Sequence, residues 1–217
     1  MRTYHSKKSS PLILTVLFAL IMSLSTPLYS ENKEQQKLLI IGDSLSAGFG
    51  LFEGEEWPAL LQIRFNKQGF NIKVINASIS GETSLGGASR IEKLLKKHEP
   101  SWVVLELGAN DGLQGQSLKS MRQNLNIIIS QSHANNSQVL LLGMHIPPNY
   151  GSRYANSFHQ SFIDISQSKN VDLVPFFLEN VAGIKALNQS DGIHPTAEAQ
   201  PIILNNVWPA IKTLISR

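Results

Sequence analysis

Ile40-Ile41-Gly42-Asp43-Ser44-Leu45-Ser46-Ala47-Gly48-Phe49-Gly50 is the stretch whose reading decides the fold. It closes an apolar run, Lys37-Leu38-Leu39-Ile40-Ile41, short and branched enough to be a strand buried on both faces. The run stops on a glycine, an acid and two serines. Buried strands of this kind belong to parallel sheets, whose ligands sit just outside the carboxyl ends of the strands. A serine on such a turn presents its hydroxyl to a crevice and can act as a nucleophile. Taken alone, Gly-Asp-Ser also reads as an ordinary strand-to-helix turn in which Asp43 or Ser44 caps the helix.

The same pattern recurs along the chain. Glu55 through Phe65 reads as a helix with Pro58 near its start and Leu60, Leu61 and Phe65 inward. Asn71 to Ile75 is a second strand, followed by a helix with Leu85, Ala88, Ile91, Leu94 and Leu95 on one face. Trp102 to Leu107 is a third strand, and Ser117 caps a helix with Leu118, Met121, Leu125, Ile128 and Ile129 inward. Gln138 to Met144 is a fourth strand, before a helix striped by Tyr154, Phe158, Phe162 and Ile165. Val171 to Val174 is the fifth, and a last helix aligns Ile203, Val207, Ile211 and Leu214. Strands alternating with helices of this length make βαβ units, hence an α/β fold with a parallel sheet and helices on both faces. No repeat or second domain boundary interrupts the chain after residue 36.

Composition narrows the classes. Of 217 residues, 42% are hydrophobic and 16% charged, which suits a packed globular core. No cysteine is present, which excludes disulfides, thiolate metal sites, a cysteine nucleophile and a lipidated N-terminal cysteine. The net charge of +3 is accounted for by Arg2, Lys7 and Lys8, because residues 1–30 hold no acid. The rest is formally neutral and offers no electrostatic footprint for nucleic acid. Residues 1–30 read as a secretory signal: a basic start, an apolar stretch from Leu12 to Leu24, and Ser25-Thr26-Pro27-Leu28-Tyr29-Ser30 leading to a cut near Ser30. The apolar stretch is short for a bilayer span. The expected domains are therefore a signal peptide over 1–30 and one catalytic-size domain over 31–217. The expected location is the periplasm or the medium, with no stable membrane anchor once the signal is removed.

Ser44 follows the first strand, Gly81 the second and Asn110 the third, while Asp191 and His194 lie between the fifth strand and the last helix. A parallel sheet gathers all five at one edge, around the topological switch point. Their types suit acyl transfer. A serine hydroxyl needs an adjacent base, and an imidazole needs a carboxylate to fix its tautomer. Asp191 and His194, three apart on one turn, can meet that need. The backbone N–H groups of Ser44 and Gly81 and the amide of Asn110 can receive an oxyanion. Asp43 and Asp111 read as turn-structuring acids. His98, His133 and His159 fall on helices or their ends and read as surface residues, whereas His145 lies beside the crevice and is a candidate for contact with substrate. Asp111 to Gln116 reads as a mobile flap, with Leu113, Ile146 and Tyr150 as candidate walls of an acyl groove. No metal-ligand cluster, phosphate loop or dinucleotide fingerprint occurs, so no cofactor is expected.

Gly42-Asp43-Ser44-Leu45-Ser46, Gly81 after Asn76-Ala77-Ser78, Gly108-Ala109-Asn110-Asp111 and Asp191-Gly192-Ile193-His194-Pro195 together resemble the four sequence blocks of the SGNH (GDSL) hydrolase family, in order. The likeness is greatest to its bacterial periplasmic thioesterase I, lysophospholipase and arylesterase members, through Trp57-Pro58-Ala59-Leu60-Leu61, Pro148-Asn149-Tyr150-Gly151 and Val174-Pro175-Phe176-Phe177. The resemblance implies a flavodoxin-like three-layer α/β/α sandwich on a five-stranded parallel sheet. It also implies Ser44 as nucleophile, His194 as base, Asp191 as its orienting acid, and Ser44, Gly81 and Asn110 as the oxyanion hole. The implied partner is a small acyl ester, thioester or lysolipid acted on by a monomer. Carbohydrate O-deacetylation is the alternative within the family, and a non-catalytic binding module on the same sheet is a third reading.

Overall fold

A computed structural model describes residues 1–5 and 35–217; the signal-peptide expectation falls almost wholly outside the described residues. Residues Gln35–Arg217 form one compact unit. Five strands, β1 (Gln36–Gly42), β2 (Ile72–Asn76), β3 (Trp102–Glu106), β4 (Gln138–Leu142) and β5 (Asp172–Val174), form one sheet in the order β2-β1-β3-β4-β5. Every pairing is parallel. The chain steps from β1 to β2 on one side and returns to place β3 on the other. The switch point therefore lies between β1 and β3.

Short helices α1 (Ser44–Ala47) and α4 (Ala109–Leu113) follow β1 and β3 directly. The long ones are α2 (Trp57–Lys67), α3 (Ser84–His98), α5 (Leu118–Ala134), α6 (Ser152–Lys169) and α7 (Gln200–Ile215). Helices α3, α5 and α6 lie side by side on one face of the sheet, and α2 and α7 cover the other. Strand residues Leu38 to Ile41, Val103 to Leu105 and Leu140 to Leu142 are wholly buried, as a sheet covered on both faces requires. Met121, Leu125, Ile128 and Ile129 of α5 and Ile203, Val207, Ile211 and Leu214 of α7 face the sheet as their spacing predicts.

Two elements depart from the sequence reading. Helix α2 begins at Trp57 rather than Glu55, because Glu55 and Glu56 accept from the amides of Phe52 and Gly54 in the preceding turn. Leu85 is 64% exposed instead of facing inward. The neighbouring Ser84 takes the inward position, since its N–H and Oγ both donate to the buried Asp111 carboxylate at 2.8 and 2.5 Å.

Candidate active site

The turn after β1 is held from below. Asp43 Oδ1 accepts the Leu45 N–H at 3.0 Å and caps α1, so its structuring role is as expected. Glu106, the last residue of β3, lies fully buried under this turn. Its Oε2 accepts the Asp43 N–H at 3.2 Å and the Ser46 hydroxyl at 2.7 Å, and Ser46 in turn receives the Trp57 indole N–H. Glu106 Oε1 has no partner among the described residues. Burial, reinforced by the Asp43 charge, pushes the Glu106 carboxyl well above the usual carboxylate range. Asp43 is itself raised to about 7, chiefly by burial and then by the charges of Glu82 and Asp111, against the two hydrogen bonds it accepts. Neither Glu106 nor its role was anticipated, although an acid inside Val-Val-Leu-Glu-Leu is a visible signal.

Above this platform Ser44 is half-buried at the mouth of a crevice of about 590 Å³, within the range of small-molecule sites. His194 Nε2 lies 2.9 Å from Ser44 Oγ, and His194 Nδ1 lies 2.7 Å from Asp191 Oδ2. Asp191 Oδ1 also accepts the N–H groups of Ile193 and His194. These bonds, the His194 backbone N–H first, hold the Asp191 carboxyl down at about 2 although it is exposed. An ionised Asp191 on Nδ1 keeps the proton there and leaves Nε2 bare toward the serine hydroxyl. The Phe49 ring leans on the imidazole with centroids 4.4 Å apart. Gln189 pins this arrangement, its Nε2 donating to the carbonyls of Phe49 and Pro195.

Asn110 sits on α4, its Nδ2 donating to the Glu82 carbonyl at 2.9 Å and to Asp43 Oδ2 at 3.2 Å. Gly81 is placed beside the end of β1 because Ala77 and Ile79 donate to the carbonyls of Ile40 and Gly42. Its φ of +79° suits a residue without Cβ. The arrangement can pass a proton from a serine hydroxyl to an imidazole and meet a developing oxyanion with N–H donors.

The crevice walls are mostly apolar: Leu113, Met144, Ile146, Phe176, Leu178 and Ile193. Leu113 and Ile146 stand where they were expected. Tyr150 does not: it faces a separate hollow shared with Tyr154, on the outer side of the short turn Pro148–Tyr150. The presumed flap from Asp111 to Gln116 is only in part a loop. Residues up to Leu113 are helical, Asp111 is buried on Ser84, and the Tyr154 hydroxyl donates to the Gln116 carbonyl. His159 is not a free surface residue either, for it stacks on His145.

The family model of the GDSL-like Lipase/Acylhydrolase family matches residues 40–201. The chain belongs to this family. The hydrolase is 45% identical over 199 residues to Esterase TesA of Pseudomonas aeruginosa, spanning 91% of this chain and 99% of that one. It is 41% identical over 179 residues to thioesterase 1/protease 1/lysophospholipase L1 of Escherichia coli K12, covering 82% and 85% of the two chains. A crystal structure of TesA superposes with a TM-score of 0.81 at 47% identity, over 82% of this hydrolase and 99% of that chain. The psychrotrophic esterase EstA from Pseudoalteromonas sp., in a structure inhibited by monoethylphosphonate, gives 0.80 at 43% identity, over 84% and 100%. The five-stranded parallel sheet and its flanking helices are thus those of an SGNH hydrolase.

Proposed function

We propose that this hydrolase is an exported serine esterase and thioesterase working through an acyl-enzyme on Ser44. The observation that carries the reading is the hydrogen-bonded chain Asp191–His194–Ser44. Ser44 Oγ attacks the acyl carbonyl as its proton passes to His194 Nε2. The tetrahedral oxyanion is received by the N–H groups of Ser44 and Gly81 and the amide of Asn110. His194 then returns the proton to the leaving alcohol or thiol, leaving the acyl group on Ser44. Water then gives a proton to His194 as its oxygen attacks the acyl carbon, and the bond to Ser44 Oγ breaks as His194 returns that proton to the serine, releasing the acid. Asp191 stays ionised throughout and stabilises the imidazolium. Names of relatives such as esterase and thioesterase 1/protease 1/lysophospholipase L1, with the aliphatic walls of the crevice, favour acyl esters, acyl thioesters and lysolipids as substrates.

Residues 1–30 support export through a cleaved signal, leaving the hydrolase domain over 31–217. Among the described residues no helix is long and apolar enough to cross a membrane. N-terminal sequencing of the exported protein should then begin near Glu31. Coenzyme A thioesters are cytosolic, so an envelope lysolipid or related ester is the better substrate in place.

The test is hydrolysis by the mature domain of short and long p-nitrophenyl esters, palmitoyl-CoA, lysophosphatidylcholine and acetylated xylan, beside Ser44→Ala. Long-chain or lysolipid turnover that vanishes in the variant is the expected result. Turnover of acetylated xylan alone would indicate a carbohydrate deacetylase. Activity that is absent in a folded protein, or unchanged in Ser44→Ala, would refute the mechanism.

A further inference from the structure

His145 lines a part of the crevice that the hydrolytic chemistry leaves unused, and His159 backs it from behind. Their rings stack with centroids 3.8 Å apart and planes 16° from parallel. Phe176 meets the His145 ring edge-on at 4.6 Å. His145 and Phe176 both line the crevice. His159, on α6, reaches the same strand end by a second route, its Nδ1 lying 3.2 Å from the Met144 carbonyl oxygen. A carbonyl can only accept, so this nitrogen carries a proton. Helix α6 thus grips the wall of the crevice twice, at the Met144 backbone and at the His145 ring.

The stability of that wall depends on charge. Two neutral imidazoles offer each other flat, polarisable faces, and the outer one offers the crevice an aromatic plank. Two imidazolium rings at this separation repel in a site partly removed from water. The groups facing His145 are His159 from α6 and Glu179 and Phe176 from the segment after β5; Asp43 and His194 also line the crevice. Burial first, and then the charge of His159, holds His145 below its ordinary 6.5, with Glu179 pulling the other way. The stack is therefore intact at neutral pH and is challenged only in acid.

We propose that the His145–His159 stack is the part of the crevice wall that favours long acyl chains, and that its protonation in acid opens the wall and reduces that preference. The proposal rests on the reading of the crevice as the acyl site. The neutral enzyme then prefers long esters, and the same enzyme in an acid medium becomes a short-chain esterase.

The experiment compares kcat/KM for p-nitrophenyl butyrate and p-nitrophenyl decanoate, each corrected by Ser44→Ala, at about pH 7.5 and about pH 5, on either side of the ordinary histidine range. Protonation of the catalytic base scales both esters alike and cancels in their ratio. The long-to-short ratio should fall about tenfold or more in acid, the worth of one methylene contact in an apolar pocket, and the change should lie mainly in KM. His145→Phe keeps a flat ring against Phe176 that cannot charge, so its ratio should be the same at both pH values. His159→Gln keeps a donor for the Met144 carbonyl but removes the stack, and its ratio should be low at both. If His145→Phe does not fold, His159→Phe carries the same expectation. A wild-type ratio that does not move with pH, or one that moves equally in the phenylalanine variants, overturns the proposal. Absence of any Ser44-dependent hydrolysis would instead overturn the serine-esterase reading, and this proposal with it.

Discussion

Asp43 makes stability fall as pH rises, which is the reverse of the usual surface carboxylate. Its folded value of about 7 lies above the ordinary 3.8, so the folded chain holds a proton there that the unfolded chain has released. The contribution is fully present below 3.8 and is lost as pH climbs through about 7. At 1.36 kcal/mol for each tenfold step, the whole window is worth about 4 kcal/mol, and the part between about pH 5 and pH 8 about 3 kcal/mol. A domain of this size is stable by about 5–15 kcal/mol, so the loss is large enough to measure. Urea unfolding at about pH 5 and about pH 8 should show the midpoint dropping with an unchanged slope. Asp43→Asn should make that drop shallower by the Asp43 share, leaving the part that Glu106, raised in the same direction by burial, contributes. It should also be less stable than the wild type at the lower pH by about 1–3 kcal/mol, because an amide nitrogen facing Asn110 Nδ2 leaves two donors opposed. A variant that keeps the wild-type pH slope would show that the slope arises elsewhere, and the account of Asp43 would be wrong.

Asn110→Ala should lower kcat for ester hydrolysis by about 10²- to 10³-fold with little change in KM, as expected for loss of one oxyanion donor; a loss under about tenfold would remove it from that role. Gly112→Ala tests the packing of α4 against the core, since a Cβ there would lie 2.6 Å from the Phe158 ring and 2.9 Å from Ile146 Cγ2. Overpacking should destabilise by about 1–3 kcal/mol, outweighing alanine's better helix propensity of about 1 kcal/mol. A melting temperature equal to or above that of the wild type would show that the Phe158 ring yields freely.

What could be read from the sequence was what local pattern encodes. The strands announce themselves as apolar runs ending in glycine and polar residues, which is why the sites after β1 and β3 could be assigned to one edge. Ser117 was legible as a cap because capping is a contact between near neighbours, and the structure shows it accepting the Ser120 N–H. Asp191 and His194 were legible as a pair for the same reason. The features that escaped depend on closure across the chain. Nothing near Phe49 foretells a ring contact with His194, and nothing on α6 foretells that His159 stacks on His145. Leu85 was misread because helical spacing gives a stripe but not its phase. The phase was set by Ser84 reaching Asp111 from another βα unit. Tyr150 lies in a crevice-side loop, but the backbone turn that carries it points it outward.

The acid and base of the proposed triad share one four-residue turn, while the nucleophile lies 150 positions before the base in the sequence. The imidazole is therefore oriented by local structure, and only one distant contact remains to be made. Closing a span of that length is the slow, entropically opposed kind of event in folding. It needs α7 seated on the sheet, because the turn leads directly into that helix. During refolding, spectroscopic helix content can return while the long span is still open, but esterase activity cannot. Under the proposed triad, recovery of turnover is thus a clock for the closing of that span, and nascent chains still lacking α7 are expected to be inactive.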